Sequence, residues 1–423
     1  MVNILILGAG RSSYHLITHL TGIAHILNIR ITVCDRDKKL AEDKIQNRPA
    51  AQAVSWNIDE IFQNIKNYHL VISMLPPDMH EVIAQRCIAE KKHFFTASYM
   101  TEGIQKLNNE VKQAGLLFLM ECGLDPGLDH MTIKHAVDEI YSLGGEVIEL
   151  YSYCGGLVAK DSDTNPWHYK ISWNPRNVVL AGQGGDAQYL QDGNIVSVPY
   201  AQLFGTDYIK KITVGNETFE GYANRDSTMY KDIYYLPHIK TLIRGTLRYD
   251  GFCKGWHYLI NNGYTDNHVL HNTNTMTYKQ LFNIDTDTLT SDPMLLAQIQ
   301  ALGLPDDVPI NMNLVTYAQV LQHLIEKKWR MMPHDKDRVV MIHKLVYNMD
   351  NKSYSKIMML DIEGIDSVNT AMSKTVGLPL AIVVQKFLEG SIADEGVNIP
   401  VHEKYYKAVL PELEREGLIF KYM

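Results

Sequence analysis

The sequence predicts an α/β chain that opens on a doubly wound parallel sheet, and three observations predict it. Short apolar runs alternate with segments of helical period through residues 1–121. A glycine loop follows the first run and opens a helical segment. An acid, Asp35, ends the second run about 20 residues further on.

Residues 3–7 read as the first strand and 31–34 as the second, with 51–56 a weaker third. Residues 70–75, 93–97 and 116–120 complete six. Of the helices between them, 78–90 is the clearest. Met79, Val82, Ile83 and Cys87 recur on one face, and Asp78 is expected to cap the first turn behind Pro76-Pro77. Strand and helix repeated in this way imply a parallel sheet covered on both faces.

The rhythm then changes. Residues 147–154, 195–198 and 212–219 read as strands joined by Gly- and Asn-containing turns, a separate domain. Residues 251–329 are helical and polar, with short apolar faces such as Leu259-Ile260 and Leu295-Leu296. Strand-like runs return at 339–349 and 355–362, where they are expected to rejoin the second domain's sheet. An apolar helix at 379–390 and the segment 392–423 are placed back on the first domain. The expected division is 1–123 with 366–423, then 124–250 with 330–365, then 251–329.

Composition narrows the function. The 423 residues carry 40 Lys and Arg against 48 Asp and Glu, a net charge of −8, with no basic run to engage phosphates. Nucleic acid is therefore not an expected partner. No apolar run approaches the ~20 residues of a membrane span, and the first residues show no secretory signal. Five scattered cysteines (Cys34, Cys87, Cys122, Cys154, Cys253) form no Cys-x-x-Cys pair, which points to the reducing cytoplasm. No histidine spacing suggests a metal, and no Gly-x-Ser-x-Gly elbow or Walker loop occurs. Redox chemistry is the leading enzyme class.

The chemistry-bearing residues fall at strand ends. In Gly8-Ala9-Gly10-Arg11-Ser12-Ser13, Gly8 permits a tight turn and Gly10 lets backbone approach a pyrophosphate at a helix N-terminus. Ser13 stands where a third glycine is usual. Asp35 would accept the ribose hydroxyls of NAD, whereas neighbouring Arg36 offers a partner for the 2′-phosphate of NADP, so both cofactors stay open. Leu75-Pro76, Ser98-Tyr99 and the loop 121–130, containing Leu124, Asp125 and Pro126, bring three successive strand ends to one edge. Further on, Arg225, Arg244 and Arg248 lie among hydroxyl residues and suit a polyacidic substrate, against the plainer reading of pairing with Asp226 or Asp250. Cys154 either lines a pocket or is a buried thiol.

Taken jointly, these motifs resemble the saccharopine reductase family, the glutamate-forming saccharopine dehydrogenases. The resemblance covers most of the chain. It rests on the Gly8 loop, on Lys92-His93-Phe94-Phe95-Thr96-Ala97-Ser98-Tyr99, on Gly123-Leu124-Asp125-Pro126-Gly127-Leu128-Asp129-His130 and on Ser152-Tyr153-Cys154-Gly155-Gly156-Leu157. Asn165-Pro166, Tyr169-Lys170, Ser172-Trp173, Asn224-Arg225-Asp226-Ser227 and Arg244-Gly245-Thr246-Leu247-Arg248-Tyr249 extend it.

The resemblance implies a dinucleotide-binding domain, a mixed α/β substrate and dimerisation domain and a small helical lid. It also implies a homodimer that interconverts saccharopine with L-glutamate and 2-aminoadipate 6-semialdehyde, using NAD or NADP. Ser98, Tyr99, Asp125, Arg225, Thr246, Leu247 and Arg248 match substrate-contacting positions, and Arg244 joins them in the same motif. The positions near Leu75, Pro76, Leu124 and Pro126 match cofactor contacts. Asp125, Tyr99 and Cys154 are the candidates for proton handling. Asp35 departs from the NADP-using members. Two other readings are carried: a dehydrogenase of another secondary amine, an opine or a carboxylated polyamine, and a nicotinamide-binding protein without catalysis.

Overall fold

Ile4, Leu5, Ile6 and Leu7 have no solvent-exposed surface, as expected of a strand covered on both faces; each such side chain contributes about 1.5–3 kcal/mol. They belong to strand β1 (Val2–Leu7), followed by β2 (Ile29–Cys34), β3 (Ala51–Val54), β4 (Leu70–Ser73), β5 (His93–Thr96) and β6 (Leu117–Leu119). All six pair in parallel in the order β3-β2-β1-β4-β5-β6. The order reverses between β1 and β4, and ligands of open α/β sheets bind beyond the carboxyl ends of strands at such a point. The chain is seen in a computed structural model that describes residues 1–179 and 185–423.

Two compact units emerge: Met1–Gly144 with Val368–Phe420, and Gly145–Ser367 with Lys421–Met423. The helix Leu128–Ser142 groups with the first unit, and residues 251–329 group with the second.

The second unit is built on β7 (Glu146–Val158), β8 (Ala187–Gln191), β9 (Asn194–Val198), β10 (Lys210–Val214), β11 (Glu217–Ala223) and β12 (Thr241–Tyr249). After a small pair, β13 (Leu270–His271) with β14 (Val315–Thr316), come β15 (Asp337–Met349) and β16 (Lys352–Glu363). The main sheet is mixed: β12 runs parallel to β7, while β11 and β15 flank them antiparallel. Residues 212–219, read as one strand, are the end of β10, a turn at 215–216 and the start of β11, paired as a hairpin. Gly215 adopts φ +58°, a left-handed conformation suited to glycine, and the chain reverses there.

Helices Phe252–Asn261, Tyr278–Phe282, Pro293–Leu302 and Tyr317–Lys328 occupy the 251–329 segment. Their starts are written locally. Thr316 and Gln319 form a reciprocal capping box, and Asp292 accepts from the Leu295 amide behind Pro293. Trp167, Trp256, Trp329 and Phe252 pack edge to face and stacked in the core below.

The chain then returns to the first unit through helix Ala371–Leu388, and β17 (Gly396–Asn398) adds in parallel beside β6. That helix starts eight residues before the expected 379, because Thr370 caps it by accepting from the Ser373 amide at 2.9 Å and Pro379 lies inside it. It is also an exception to the expected lack of long apolar runs. Its length and composition would allow it to cross a membrane, but 67% of it is buried inside the fold, as in a core helix. The final strand, β18 (Lys421–Tyr422), pairs with β16 and so groups with the second unit, not the first as expected for 392–423. Similarly, the helix expected at 78–90 is His80–Ala89, preceded by a 3₁₀ turn at Pro77–Met79, and Asp78 makes no capping hydrogen bond.

Candidate active site

In the first unit the glycine loop follows β1 directly. Gly8 adopts φ +100°, and a Cβ there would lie 2.9 Å from the Met74 carbonyl oxygen. No side chain is tolerated where the ends of β1 and β4 approach. A Cβ on Gly10 would meet nothing within 4 Å, so the loop leaves open space before the turn Arg11–Ser13 and helix Tyr14–Gly22. That is the space a pyrophosphate needs at a helix N-terminus.

Ser13 does not loosen this corner. It is fully buried, and its hydroxyl donates to the Gly10 carbonyl at 2.8 Å. The close packing usually given by a third glycine comes from Gly377 on helix Ala371–Leu388, where a Cβ would stand 2.9 Å from both Ser12 O and Leu16 N.

Asp35 follows β2 with both carboxylate oxygens engaged. Oδ2 accepts from the Ala9 amide at 2.7 Å and Oδ1 from the Asp37 amide at 3.0 Å. The acid is thereby tied to the glycine loop. Arg36 is exposed, and its carbonyl receives the Ser55 hydroxyl. Leu75 and Pro76 lie just past β4, half-buried and exposed respectively. The residues fit a dinucleotide: a gap at Gly10, an adjacent helix start and a fixed carboxylate at the ribose position.

Beyond β5 and β6 the polar loops interlock. Tyr99 donates to Asp125 Oδ1 at 3.1 Å. The Glu121 amide donates to the Ser98 carbonyl, and Glu121 Oε1 accepts from the Met100 amide. Glu121 Oε2 meets buried His130 at 2.7 Å. Within the loop, the Gly127 amide donates to Asp129 Oδ1 and the Gly123 amide to the Pro126 carbonyl. Leu124 and Pro126 are buried, and Asp125, joined to Pro126 by a cis peptide, is half-buried. Ser98, Tyr99 and Asp125 are thus held together at the carboxyl edge of the sheet.

The second unit carries the arginines. On β12, strand alternation puts Arg244, Thr246 and Arg248 on one face. Leu247 lies on the other, fully buried, opposite Gly155 where a Cβ would clash with it. Thr246 is in register with Cys154 of β7, a buried thiol outside any disulfide. Arg225 follows β11, exposed, with φ +57°. The Arg244 guanidinium stacks over Tyr230 at 4.0 Å. Neither suggested acid holds Arg248: Asp250 pairs with Lys211, and Asp226 accepts from Thr228.

Arg248 has a distinct environment. It is 4% exposed, and Nη1 donates to the Leu247 carbonyl at 2.8 Å while Nε has no hydrogen-bond partner. Tyr169, Phe252 and Tyr222 surround the guanidinium at 5.1, 5.2 and 6.0 Å. Burial pushes the Tyr222 phenol up to about 12, so it stays neutral and supplies no anion. Among the described residues, no carboxylate pairs with Arg248. A buried cation in this state is costly until an anion meets it. Sequence reading missed this aromatic surround, although Tyr169 belongs to one of the motifs, and it missed the contacts of His80. Among the described residues, no cluster of three metal-ligating side chains occurs.

Comparison with known proteins agrees with this geometry. Residues 4–119 match the family model described as the saccharopine dehydrogenase NADP binding domain, and 123–418 match the saccharopine dehydrogenase C-terminal domain. The chain is 31% identical to the mitochondrial alpha-aminoadipic semialdehyde synthase of Bos taurus over 99% of its own length, and it spans only 47% of that protein. It is 29% identical to the saccharopine dehydrogenase [NADP(+), L-glutamate-forming] of Saccharomyces cerevisiae, covering 99% of this chain and 98% of the relative. The apo structure of the histidine-tagged yeast L-Glu-forming enzyme superposes with a TM-score of 0.85 at 27% identity over the whole of both chains. A homospermidine synthase from Legionella pneumophila in complex with NAD shares the fold, with a TM-score of 0.61 at 10% identity, 100% of this chain and 91% of that one. With both family models matched in order along a dinucleotide-binding unit and an arginine-bearing mixed sheet, the chain belongs to the saccharopine dehydrogenase family.

Proposed function

We propose that this chain is a nicotinamide-dependent oxidoreductase acting on a CH–NH bond, interconverting saccharopine with L-glutamate and 2-aminoadipate 6-semialdehyde. The observation that carries this reading is Arg248, a buried guanidinium with an unsatisfied Nε that, among the described residues, pairs with no carboxylate. Saccharopine brings three carboxylates, and a carboxylate on Arg248 removes the cost of the unpaired charge. Arg225, Arg244 and Thr246 add cationic and hydroxyl groups for the remaining acids.

A nicotinamide held at the Gly8 loop would take hydride from the carbon bearing the secondary amine, and water adding to the resulting substrate imine would release L-glutamate and the semialdehyde. Asp125, which accepts the Tyr99 hydroxyl through Oδ1, is the carboxylate to which the amine's proton can pass in that cycle. Ser98 presents a hydroxyl to the substrate, and Cys154 lies beside Thr246 as a further proton carrier.

For the cofactor we propose NAD ahead of NADP. Both oxygens of Asp35 are tied to backbone amides, which fixes a negative charge at the end of β2, where the adenosine ribose of a dinucleotide binds. Repulsion of like charges at about 4 Å is worth about 1–4 kcal/mol between water and a protein surface. Arg36 is the residue that would reverse this preference.

We further propose a homodimer in the cytoplasm. The five cysteines are buried and form no disulfide among the described residues, which supports a reducing compartment. Light scattering of the purified protein checks the dimer.

The deciding experiment mixes protein, saccharopine and either NAD or NADP and follows absorbance of the reduced nicotinamide. Reduction with saccharopine, faster with NAD, is expected. Cofactor binding without reduction would overturn the substrate and send the search to other secondary amines. Faster reduction with NADP would overturn the role given to Asp35.

A further inference from the structure

A chain of three buried or half-buried side chains links two strand ends in the first unit. His80, the first residue of helix His80–Ala89, has no exposed surface. Its Nδ1 stands 3.0 Å from Ser73 Oγ at the end of β4, and its Nε2 stands 2.9 Å from Ser98 Oγ beyond β5. The backbone on either side is held as well. The Thr96 hydroxyl donates to the Ser73 carbonyl at 2.7 Å and accepts from the Ser98 amide at 3.2 Å.

Satisfaction of protons gives this chain a direction. Ser73 is fully buried, and among the described residues His80 Nδ1 is the one partner of its hydroxyl oxygen. A buried O–H that finds no acceptor is costly, so Ser73 donates to Nδ1, and Nδ1 carries no proton. A neutral imidazole then carries its proton on Nε2 and donates it to Ser98 Oγ. With that lone pair taken, the Ser98 proton is left for another acceptor. Burial holds the imidazole neutral, outweighing nearby Asp78 and pushing it down to about 4, and its place in the first turn of a helix acts in the same sense.

We propose that His80 is a positioning residue that locks the Ser98 hydroxyl as a hydrogen-bond donor to a carboxylate of the substrate. This rests on the reading of Ser98 as a substrate contact given above. It adds a residue that touches neither substrate nor cofactor and yet sets which way the contact is polarised.

The test is a mutant cycle on the whole protein, with saccharopine as the varied substrate. Losing one oriented hydrogen bond to a charged group weakens binding by about tenfold. Ser98→Ala and His80→Leu should each raise KM about tenfold with kcat changed far less, and the double variant should be no worse than either single. His80→Gln, whose side-chain amide can still donate to Ser98, should recover most of the loss, which a merely structural role would not predict. Multiplying effects, or a Ser98→Ala variant with unchanged KM, would overturn the proposal.

Imidazole ¹⁵N spectra of the unmutated protein give a readout that needs neither turnover nor a folded variant. The Nε2–H tautomer is expected at pH 7, and an Nδ1–H tautomer or an imidazolium would overturn the proposal. Wild-type protein that shows the expected tautomer but does not turn saccharopine over would count against the substrate reading and not against the relay.

Discussion

Arg248→Met should make the protein more stable and nearly useless. The wild-type guanidinium is 4% exposed and, among the described residues, pairs with no carboxylate, and an unpaired buried ion costs several kcal/mol, about 4. Methionine of similar length removes that cost. It also loses the hydrogen bond to the Leu247 carbonyl, about 1 kcal/mol, and contacts with three aromatic rings, together about 1–2 kcal/mol. A net gain of about 1–2 kcal/mol remains, which for a domain of this size raises Tm by about 2–8 °C. Removal of a charge-assisted partner for a substrate carboxylate should at the same time raise KM more than about 100-fold.

Scanning calorimetry and initial-rate kinetics on the same preparation read both effects. Arg338→Met is the control on the same sheet. Arg338 holds Glu217 at 2.7 Å and Asp361 at 2.6 Å, and it pulls the Glu217 carboxyl down to about 2. Breaking that triad should destabilise by about 2–4 kcal/mol, since both acids are partly solvated. If Arg248→Met destabilises as Arg338→Met does, or leaves KM intact, the argument from an unpaired buried cation fails.

Three further outcomes follow from the first unit. Gly127 has φ +139°, and a Cβ there would overlap the Gly123 backbone. Gly127→Ala should cost about 2–4 kcal/mol and disturb Asp125, whereas Gly144→Ala, at φ +80° with open space around it, should cost only about 1 kcal/mol; denaturant melts compare them. Asp35→Ser should tighten NADP binding about tenfold and weaken NAD, as read by fluorescence titration without turnover, and unchanged affinities would remove Asp35 from cofactor choice. His80 titrates near 4 when folded against 6.5 when unfolded, so between those values the unfolded chain binds the extra proton. Stability should therefore fall as pH drops from about 6.5 to about 4, by up to about 3 kcal/mol from this residue. Urea midpoints at pH 7 and pH 4.5 should lie closer together in His80→Gln, and equal gaps would contradict the burial argument.

Much of the first unit could be read before any coordinates, because its signals are local. β1 and the Gly8 loop are adjacent in sequence, and the apolar period of a strand or the cap of a helix is set by neighbours a few residues away. Errors arose where two local signals competed. Pro379 read as a helix start although Thr370 already caps that helix. Gly215-Asn216 sat inside what looked like one strand. Asp78 resembled a cap, yet the chain turns through Pro77–Met79 first.

The arginine segment shows the other limit. Its composition already pointed to a polyacid, but composition does not say whether an arginine is paired. For Arg248 the answer lies in nearby Phe252 and in Tyr169 and Tyr222, which the fold brings to it from other parts of the chain. The same holds for Gly377, which performs at the Ser13 corner the packing that a third glycine would perform in the loop itself. Ser73, His80 and Ser98 become one hydrogen-bonded line only when β4 and β5 lie side by side. The sequence by itself determined the fold class, the dinucleotide loop and the family. Tertiary structure decided which charge is buried without a partner and which way a hydroxyl points, because burial and proton direction depend on what distant segments place around a group.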